Sequence, residues 1–329
     1  MSELGVIGGG AWGTALAQML ASDGRAVRLW AREADVIAEI NRAHRNSLFL
    51  PSAELSPAIR ATGDLADVAG CSALLIVTPA QHTRVTLAAL PAFGGDLVLC
   101  AKGIEDGSGD LMSEAARAAQ PEAQLAVLSG PTFAHEVAAG LPTAVTLACG
   151  GGEAQWTRLS AAIARPNFRP YFSDDLIGAE IGGAVKNVLA IACGVVAGLG
   201  LGENARAALI ARGYAEMLRF GEALGARGET LAGLCGLGDL VLTCSSTSSR
   251  NFSLGKALGE GADPQALAAN RTTVAEGAFT APVLARKAAA LGVTMPIVDA
   301  VDRLLQGAPA GEVVISLLAR PLTAEGNAS

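Results

Sequence analysis

Only four lysines occur in this chain of 329 residues, against 20 arginines. Lysine is the cation whose pKa burial or a neighbouring charge can pull toward neutrality, whereas a guanidinium stays charged. Lys102 and Lys186 stand in apolar, glycine-rich surroundings, Ala101-Lys102-Gly103-Ile104 and Gly182-Gly183-Ala184-Val185-Lys186-Asn187. An uncharged stretch from Asn187 to Gly202 follows Lys186, and an unpaired ammonium would be costly there. A lysine so placed can give a proton and take it back. For both, a snorkelling surface side chain is the plainer alternative. Lys256 and Lys287 lie on amphipathic patterns and read as solvated.

Two further polar islands interrupt the apolar chain. Gly236-Leu237-Gly238-Asp239-Leu240 is followed by Thr243-Cys244-Ser245-Ser246-Thr247-Ser248-Ser249-Arg250-Asn251. Hydroxyls ahead of a helix, closed by an Arg and an Asn, make an anion site in which main-chain donors, Ser249 and Arg250 can hold phosphate oxygens. A hydrophilic linker with a helix cap is the competing reading. The loop Ser129-Gly130-Pro131-Thr132-Phe133-Ala134 follows a strand pattern and reads as a ligand loop or a plain Gly-Pro turn.

These groups need elements to carry them. Gly8-Gly9-Gly10-Ala11-Trp12-Gly13 lies between an apolar strand pattern and a helical one and fits G-x-G-x-x-G. Gly8 allows the tight turn, Gly10 lets the backbone approach a pyrophosphate and Gly13 lets the helix pack on the sheet. The second strand ends in Trp30-Ala31-Arg32-Glu33 rather than at a lone acidic residue. Arg32 could pair with a ribose 2′-phosphate, which favours NADP over NAD; a solvated Arg-Glu loop is the alternative. Trp12 is either a wall beside the pyrophosphate or a packing residue.

Apolar runs at Leu4-Gly5-Val6-Ile7, 26–30, 73–77, 97–100, 125–128 and 144–147 alternate with helix-length segments. That alternation predicts a mainly parallel sheet covered on both faces. From about Asp175 the pattern becomes helical, over 177–200, 205–224, 253–258, 275–291 and 297–305. The fold class expected is α/β, a Rossmann-type doubly wound sheet followed by an all-helical C-terminal domain. The domains expected are 1–178 for the dinucleotide and 179–329, helical, for the substrate. Lys102 then falls at the carboxyl end of a parallel strand, where such sheets bind ligands.

Composition narrows the class. Hydrophobic residues make up 51% and charged residues 17%, with a mean hydropathy of +0.40, too apolar for a disordered chain. A net charge of −7 without a Lys/Arg run argues against nucleic acid and against stable membrane association. The uncharged stretch after Lys186 is shorter than a bilayer span and is expected as a buried core helix. No export signal is visible, and Cys71, Cys100, Cys149, Cys193, Cys235 and Cys244 are far apart with no C-x-x-C. A cytoplasmic protein with reduced core cysteines and no metal is expected. His44, His82 and His135 have no ligand spacing and read as structural.

The chain resembles the bacterial-type NAD(P)-dependent sn-glycerol-3-phosphate dehydrogenase family from Gly5 to about Leu318. The glycine fingerprint is shared by many dehydrogenases. Asn204 with Ala207-Ala208-Leu209-Ile210 also carries the resemblance; family-specific are the Lys186-Asn187 helix and the block from Gly238-Asp239 to Arg250-Asn251. The resemblance implies reversible reduction of dihydroxyacetone phosphate to sn-glycerol 3-phosphate, supplying the backbone of phospholipids. It makes Lys186 the proton-transfer residue and Lys102 a contact of substrate and cofactor. Gly130, Thr132, Asp239, Ser249, Arg250 and Asn251 match substrate positions. Gly8, Gly10, Trp12, Gly13, Arg32, Ala134, Arg250, Val274 and Glu276 match cofactor positions. Ala11 departs from the family, where a hydroxyl residue is common, removing one candidate phosphate hydrogen bond.

On this reading Lys102 and Arg250 lower the pKa of Lys186 by charge repulsion while Asp239 orients it. Two alternatives stay open: a related two-domain hydroxy-acid dehydrogenase, and a non-catalytic NADP(H) sensor that would not need Lys186, Lys102 and Asp239. The apolar helical domain is compatible with a homodimer.

Overall fold

The computed structural model describes residues 3–269 and 275–321, and the chain divides into two compact units. One comprises 1–101 and 110–179, the other 102–109 and 180–329.

The first unit is built on eight strands: β1 (Leu4–Ile7), β2 (Val27–Trp30), β3 (Ile59–Thr62), β4 (Ala73–Ile76), β5 (Asp96–Leu99), β6 (Gln124–Ser129), β7 (Thr143–Cys149) and β8 (Phe168–Ser173). They form one sheet in the order β3-β2-β1-β4-β5-β6-β7-β8. The neighbours from β3 to β6 are parallel; β7 is antiparallel to β6, and β8 is parallel to β7. Every residue of β1, β4 and β5 is buried, which is why these strands run apolar rather than alternating, except at Asp96, whose carboxylate accepts from Arg158. Helices α1 (Ala11–Leu20), α2 (Ala34–Ala43), α3 (Ala80–Ala89), α4 (Met112–Ala119), α5 (Ala134–Ala138) and α6 (Gly152–Ile163) connect the strands. The order reverses between β1 and β4, and a doubly wound sheet binds its ligand at that switch point, outside the carboxyl ends of the strands.

In the second unit the segment 102–109 is turn and coil, and the other described residues carry helices: α7 (Leu176–Gly198, its first turn belonging to the first unit), α8 (Gly202–Ala223), α9 (Gly228–Ala232), α10 (Asp239–Cys244), α11 (Arg250–Gly259), α12 (Pro264–Ala269), α13 (Glu276–Ala290), α14 (Pro296–Leu305) and α15 (Ala310–Leu318). The 23-residue α7 is longer than the uncharged stretch because it also takes in Glu180 and Lys186. By length and composition it could cross a membrane, yet 89% of its most apolar window is buried inside the protein. It is the core helix expected. Its two charges are therefore buried, Glu180 at 2% and Lys186 at 6% exposure. Helix α11 crosses it at backbone contact, since a Cβ at Gly255 would lie 1.9 Å from the Ile191 carbonyl and one at Gly194 would lie 2.1 Å from that of Phe252. That contact fixes the start of α11, and with it Ser249 and Arg250, against α7.

Candidate active site

The lysine on α7 meets a carboxylate 53 residues later. Lys186 Nζ donates to Asp239 Oδ1 at 2.6 Å and to Thr243 Oγ1 at 2.9 Å. The other oxygen, Asp239 Oδ2, accepts from Lys102 Nζ at 2.7 Å. Asp239 is fully buried and opens α10 directly after a π-helical turn, Leu234–Gly238. Thr243, four residues on, lies on the same face of that helix; its hydroxyl donates to the Asp239 carbonyl at 2.6 Å. Thr243 therefore shares Lys186 with Asp239.

Burial pushes Lys186 down to about 8, and the Lys102 charge pushes the same way; Asp239 opposes both by charge and by hydrogen bond. Arg250 was expected among the repelling charges, but it is not among the groups that shift Lys186. Its side chain is exposed at the first position of α11, and desolvation on α7 is the larger effect. A hydrogen bond with Cys193, together with burial, holds the Cys244 thiol well above its usual range, so α10 ends on a neutral sulfur.

Asn187 and Asn251 tie the surrounding helices. Asn187 Nδ2 donates to the Lys102 carbonyl at 3.0 Å, and its Oδ1 accepts from Asn251 Nδ2 at 2.9 Å. Asn251 Oδ1 in turn accepts from Gly277 N at 2.9 Å, next to Glu276 at the start of α13. The Asn251 side chain is thus committed within the protein at both its oxygen and its nitrogen. Ser249 caps α11, accepting from Phe252 N at 3.2 Å with its hydroxyl proton still to give. Val274 lies outside the described residues.

The remaining expected positions belong to the first unit. Gly8 has φ +131°, and a Cβ there would sit 2.8 Å from the Val77 carbonyl oxygen; a Cβ at Gly13 would lie 1.8 Å from the Gly8 oxygen. Around Gly10, by contrast, nothing lies within 4 Å of where a Cβ would be. Gly10 is the cap residue of α1 and no side chain caps that end. A helix N-terminus with its approach left open fits a pyrophosphate. Trp12 is half-buried against the hydrophobic core of this unit, and its buried Nε1 has no partner among the described residues. Arg32 is 77% exposed and donates to Glu33 Oε1 at 2.9 Å. Gly130, at φ +156°, lies 2.9 Å by its would-be Cβ from Val145 Cα; Thr132 Oγ1 donates to its carbonyl at 3.3 Å, and Ala134 begins α5.

The structure thus brings Lys102, Lys186, Asp239, Asn187, Asn251 and the Gly277 end of α13 into one bonded group, while Gly8, Gly10, Trp12 and Gly13 stand together in the turn from β1 into α1. Sequence reasoning gave Thr243 no role of its own, although its place four residues after Asp239 was a usable signal.

Family models for NAD-dependent glycerol-3-phosphate dehydrogenase match this chain over residues 3–155 (N-terminus) and 175–315 (C-terminus). The chain belongs to that family. It is 72% identical to a glycerol-3-phosphate dehydrogenase [NAD(P)+] of Novosphingobium aromaticivorans and 70% identical to one of Erythrobacter litoralis, with 98% of each chain covered in both cases. The crystal structure of glycerol-3-phosphate dehydrogenase from Coxiella burnetii is similar at a TM-score of 0.91 and 38% identity, covering 97% of this chain and 99% of that one. For a glycerol-3-phosphate dehydrogenase family member, a buried lysine and an uncapped glycine loop are the parts that need a chemical account.

Proposed function

We propose that the protein is an NAD(P)-dependent glycerol-3-phosphate dehydrogenase that reversibly reduces dihydroxyacetone phosphate to sn-glycerol 3-phosphate, the backbone unit of phospholipids. The observation that carries the mechanism is the Lys186 ammonium, which spends two N–H groups on Asp239 and Thr243 and has no described partner for the third. When bound, the nicotinamide supplies a hydride to the carbonyl carbon. The alkoxide that develops on the substrate oxygen needs a cation and a proton, and Lys186 provides both through that third N–H. In the oxidation direction the neutral amine takes the proton back. Two ammoniums on one carboxylate leave a net positive charge around Asp239, which favours the developing oxyanion and disfavours full protonation of Lys186 at rest.

Ser249 and Arg250 at the start of α11 hold the substrate phosphate, assisted by the helix N-terminus, and so orient the carbonyl. Asn251 joins them as a substrate position while bracing that turn through Asn187 and Gly277. Gly130 and Thr132 complete the substrate positions, and Lys102 serves substrate and cofactor. Gly8, Gly10 and Gly13 hold the pyrophosphate, with Trp12, Ala134, Val274 and Glu276 as further cofactor positions. Arg32 selects NADP once it leaves Glu33. Residues 1–178 act as the dinucleotide domain and 179–329 as the substrate domain.

The protein works in the cytoplasm, without nucleic acid or a stable membrane attachment, and the reading accommodates a homodimer that light scattering would register. The deciding assay follows NADPH absorbance with dihydroxyacetone phosphate as acceptor. Turnover with this ketone is expected; binding of NADPH without turnover would mark a sensor, and turnover only with carboxylated acceptors a hydroxy-acid dehydrogenase.

A further inference from the structure

Asn46 is fully buried, yet it belongs to no position that the resemblance or the proposed chemistry assigns. Its side chain is spent on the glycine loop 37 residues earlier. Asn46 Nδ2 donates to the Gly9 carbonyl at 2.9 Å and to Thr14 Oγ1 at 2.8 Å. Thr14, also fully buried, passes its own hydroxyl proton to the same Gly9 oxygen at 3.2 Å. Asn46 is itself held by Phe49 N, which donates to its Oδ1 at 3.2 Å, and by Leu50 N, which donates to its carbonyl at 2.8 Å. One amide and one hydroxyl thus converge on one carbonyl.

The consequence follows from peptide geometry. The peptide between Gly9 and Gly10 is trans, and in a trans peptide the C=O and N–H point in opposite directions. Drawing the Gly9 oxygen inward to Asn46 and Thr14 turns the Gly10 N–H outward. Gly10 is the N-cap of α1, no side chain caps that end, and nothing lies within 4 Å of where its Cβ would be, so the donor meets no competing side chain at the cap. Without these two donors, a loop of three consecutive glycines has ample freedom to rotate the peptide, and the anion-binding donor would have to be oriented at the moment of binding.

We propose that Asn46, acting with Thr14, is a positioning residue for the dinucleotide: it locks the Gly9–Gly10 peptide so that the Gly10 N–H is set to receive the pyrophosphate. This rests on the dinucleotide reading of the glycine loop. Because the pyrophosphate is common to both cofactors, the effect of Asn46 must be the same for NADH and NADPH, unlike that of any residue that reads the 2′-phosphate.

The test is direct titration of the full chain with NADPH and with NADH in the absence of substrate, followed by nucleotide fluorescence, for wild type, Asn46→Ala, Thr14→Val and the double variant. Asn46→Ala is expected to raise both dissociation constants about tenfold, by a common factor. At saturating cofactor, kcat and the KM for dihydroxyacetone phosphate should stay within about twofold. Because both side chains act on one carbonyl, the double variant should lose less than the product of the single losses. Unchanged dissociation constants in a folded Asn46→Ala protein would overturn the proposal, as would a fall of kcat in step with affinity, which a merely structural role gives. If Asn46→Ala does not fold, Thr14→Val, nearly the same volume without the hydroxyl, decides in the same two directions. A wild-type protein that takes neither nucleotide overturns the dinucleotide reading itself, and the two failures are told apart by that control.

Discussion

Lys186 holds Asp239 at 2.6 Å by an oxygen that Lys102 does not use, so a single buried carboxylate serves two ammoniums at once. The arrangement is lopsided: Lys186 is 7% exposed at its side chain and Lys102 14%. The more buried lysine is the one that burial moves down to about 8.

A pH profile follows from that value, with opposite signs for the two directions. Reduction needs protonated Lys186 as acid, so kcat/KM for dihydroxyacetone phosphate should fall as pH rises through about 8. Oxidation needs the neutral amine, so kcat/KM for sn-glycerol 3-phosphate should rise through the same region. Profiles of both directions on one preparation check this, and a reduction rate that stays level through pH 8 to 10 would remove Lys186 as the acid.

Lys186→Met keeps the stem and removes the charge. Asp239 retains Lys102, so the carboxylate is not left unpaired and the variant should fold. Turnover should drop by roughly 100-fold or more, the scale of a lost general acid, while NADPH binding persists. Single-turnover rates beside a nucleotide titration separate the two, and near-normal turnover would sink the assignment.

Why the sequence told as much as it did can be argued from particular residues. Fully buried strands such as Ala73–Ile76 are apolar at every position and are plain in the sequence. The edge strands are not: β3, Ile-Arg-Ala-Thr, alternates weakly over four residues, and β8 carries Pro170 with Arg169, Tyr171 and Phe172 exposed. Nor does an apolar run state its direction, so the antiparallel β7 could not be read from Thr143–Cys149. Helices α9, α10 and α12 have five or six residues each, too short to show a period, and α15, Ala310–Leu318, is mostly an apolar run with no polar face to mark one. In the site, the scarcity of lysine exposed Lys102 and Lys186, and glycine spacing exposed the loop. Asn46 left no such trace, because a single asparagine between His44-Arg45 and Ser47-Leu48 looks like any turn residue until the Gly9 carbonyl is seen against it.

Arg32 tests cofactor choice. Its guanidinium is exposed and already occupied by Glu33, so its contribution is a surface one. Arg32→Ala should weaken NADPH by roughly tenfold, about 1.4 kcal/mol, and leave NADH nearly unchanged. Dissociation constants for both nucleotides decide it; equal losses would assign Arg32 to adenine stacking or to the loop.

Glu216 on α8 offers a prediction about stability. It is 2% exposed and accepts from Ile297 N at 2.8 Å and Val298 N at 3.3 Å, capping α14 from a neighbouring helix. Burial pushes it up to about 7 from 4.5, against the two backbone donors and Arg219 and with the help of Asp299. The folded protein therefore binds this proton more tightly than the unfolded chain. The stabilisation is complete below about pH 4.5 and is lost as pH rises through about 7. Glu216→Gln cannot titrate, so the wild-type Tm should decline more steeply between pH 5 and 8 than that of the variant. Parallel declines in the two proteins would place the titration elsewhere.

The phosphate is tested through Arg250, which stands exposed at the first position of α11 beside the Ser249 cap. Guanidinium and helix donors can then converge on one dianion. Arg250→Ala should raise the KM for dihydroxyacetone phosphate sharply and lower kcat as well, because remote binding energy also holds the reacting carbonyl in place. Unphosphorylated dihydroxyacetone never uses that contact, so its low kcat/KM should change much less. The measurement is kcat/KM for both ketones with wild type and variant at saturating NADPH, since Arg250 is also expected at the cofactor. Asn251 gives the contrast: its amide is bonded to Asn187 and Gly277, so Asn251→Ala should cost stability along with activity, whereas Arg250→Ala should leave Tm nearly unchanged. A loss of equal size for the two ketones would mean that Arg250 does not read the phosphate, and recognition of the dianion would then fall to Ser249 and the main-chain donors of α11.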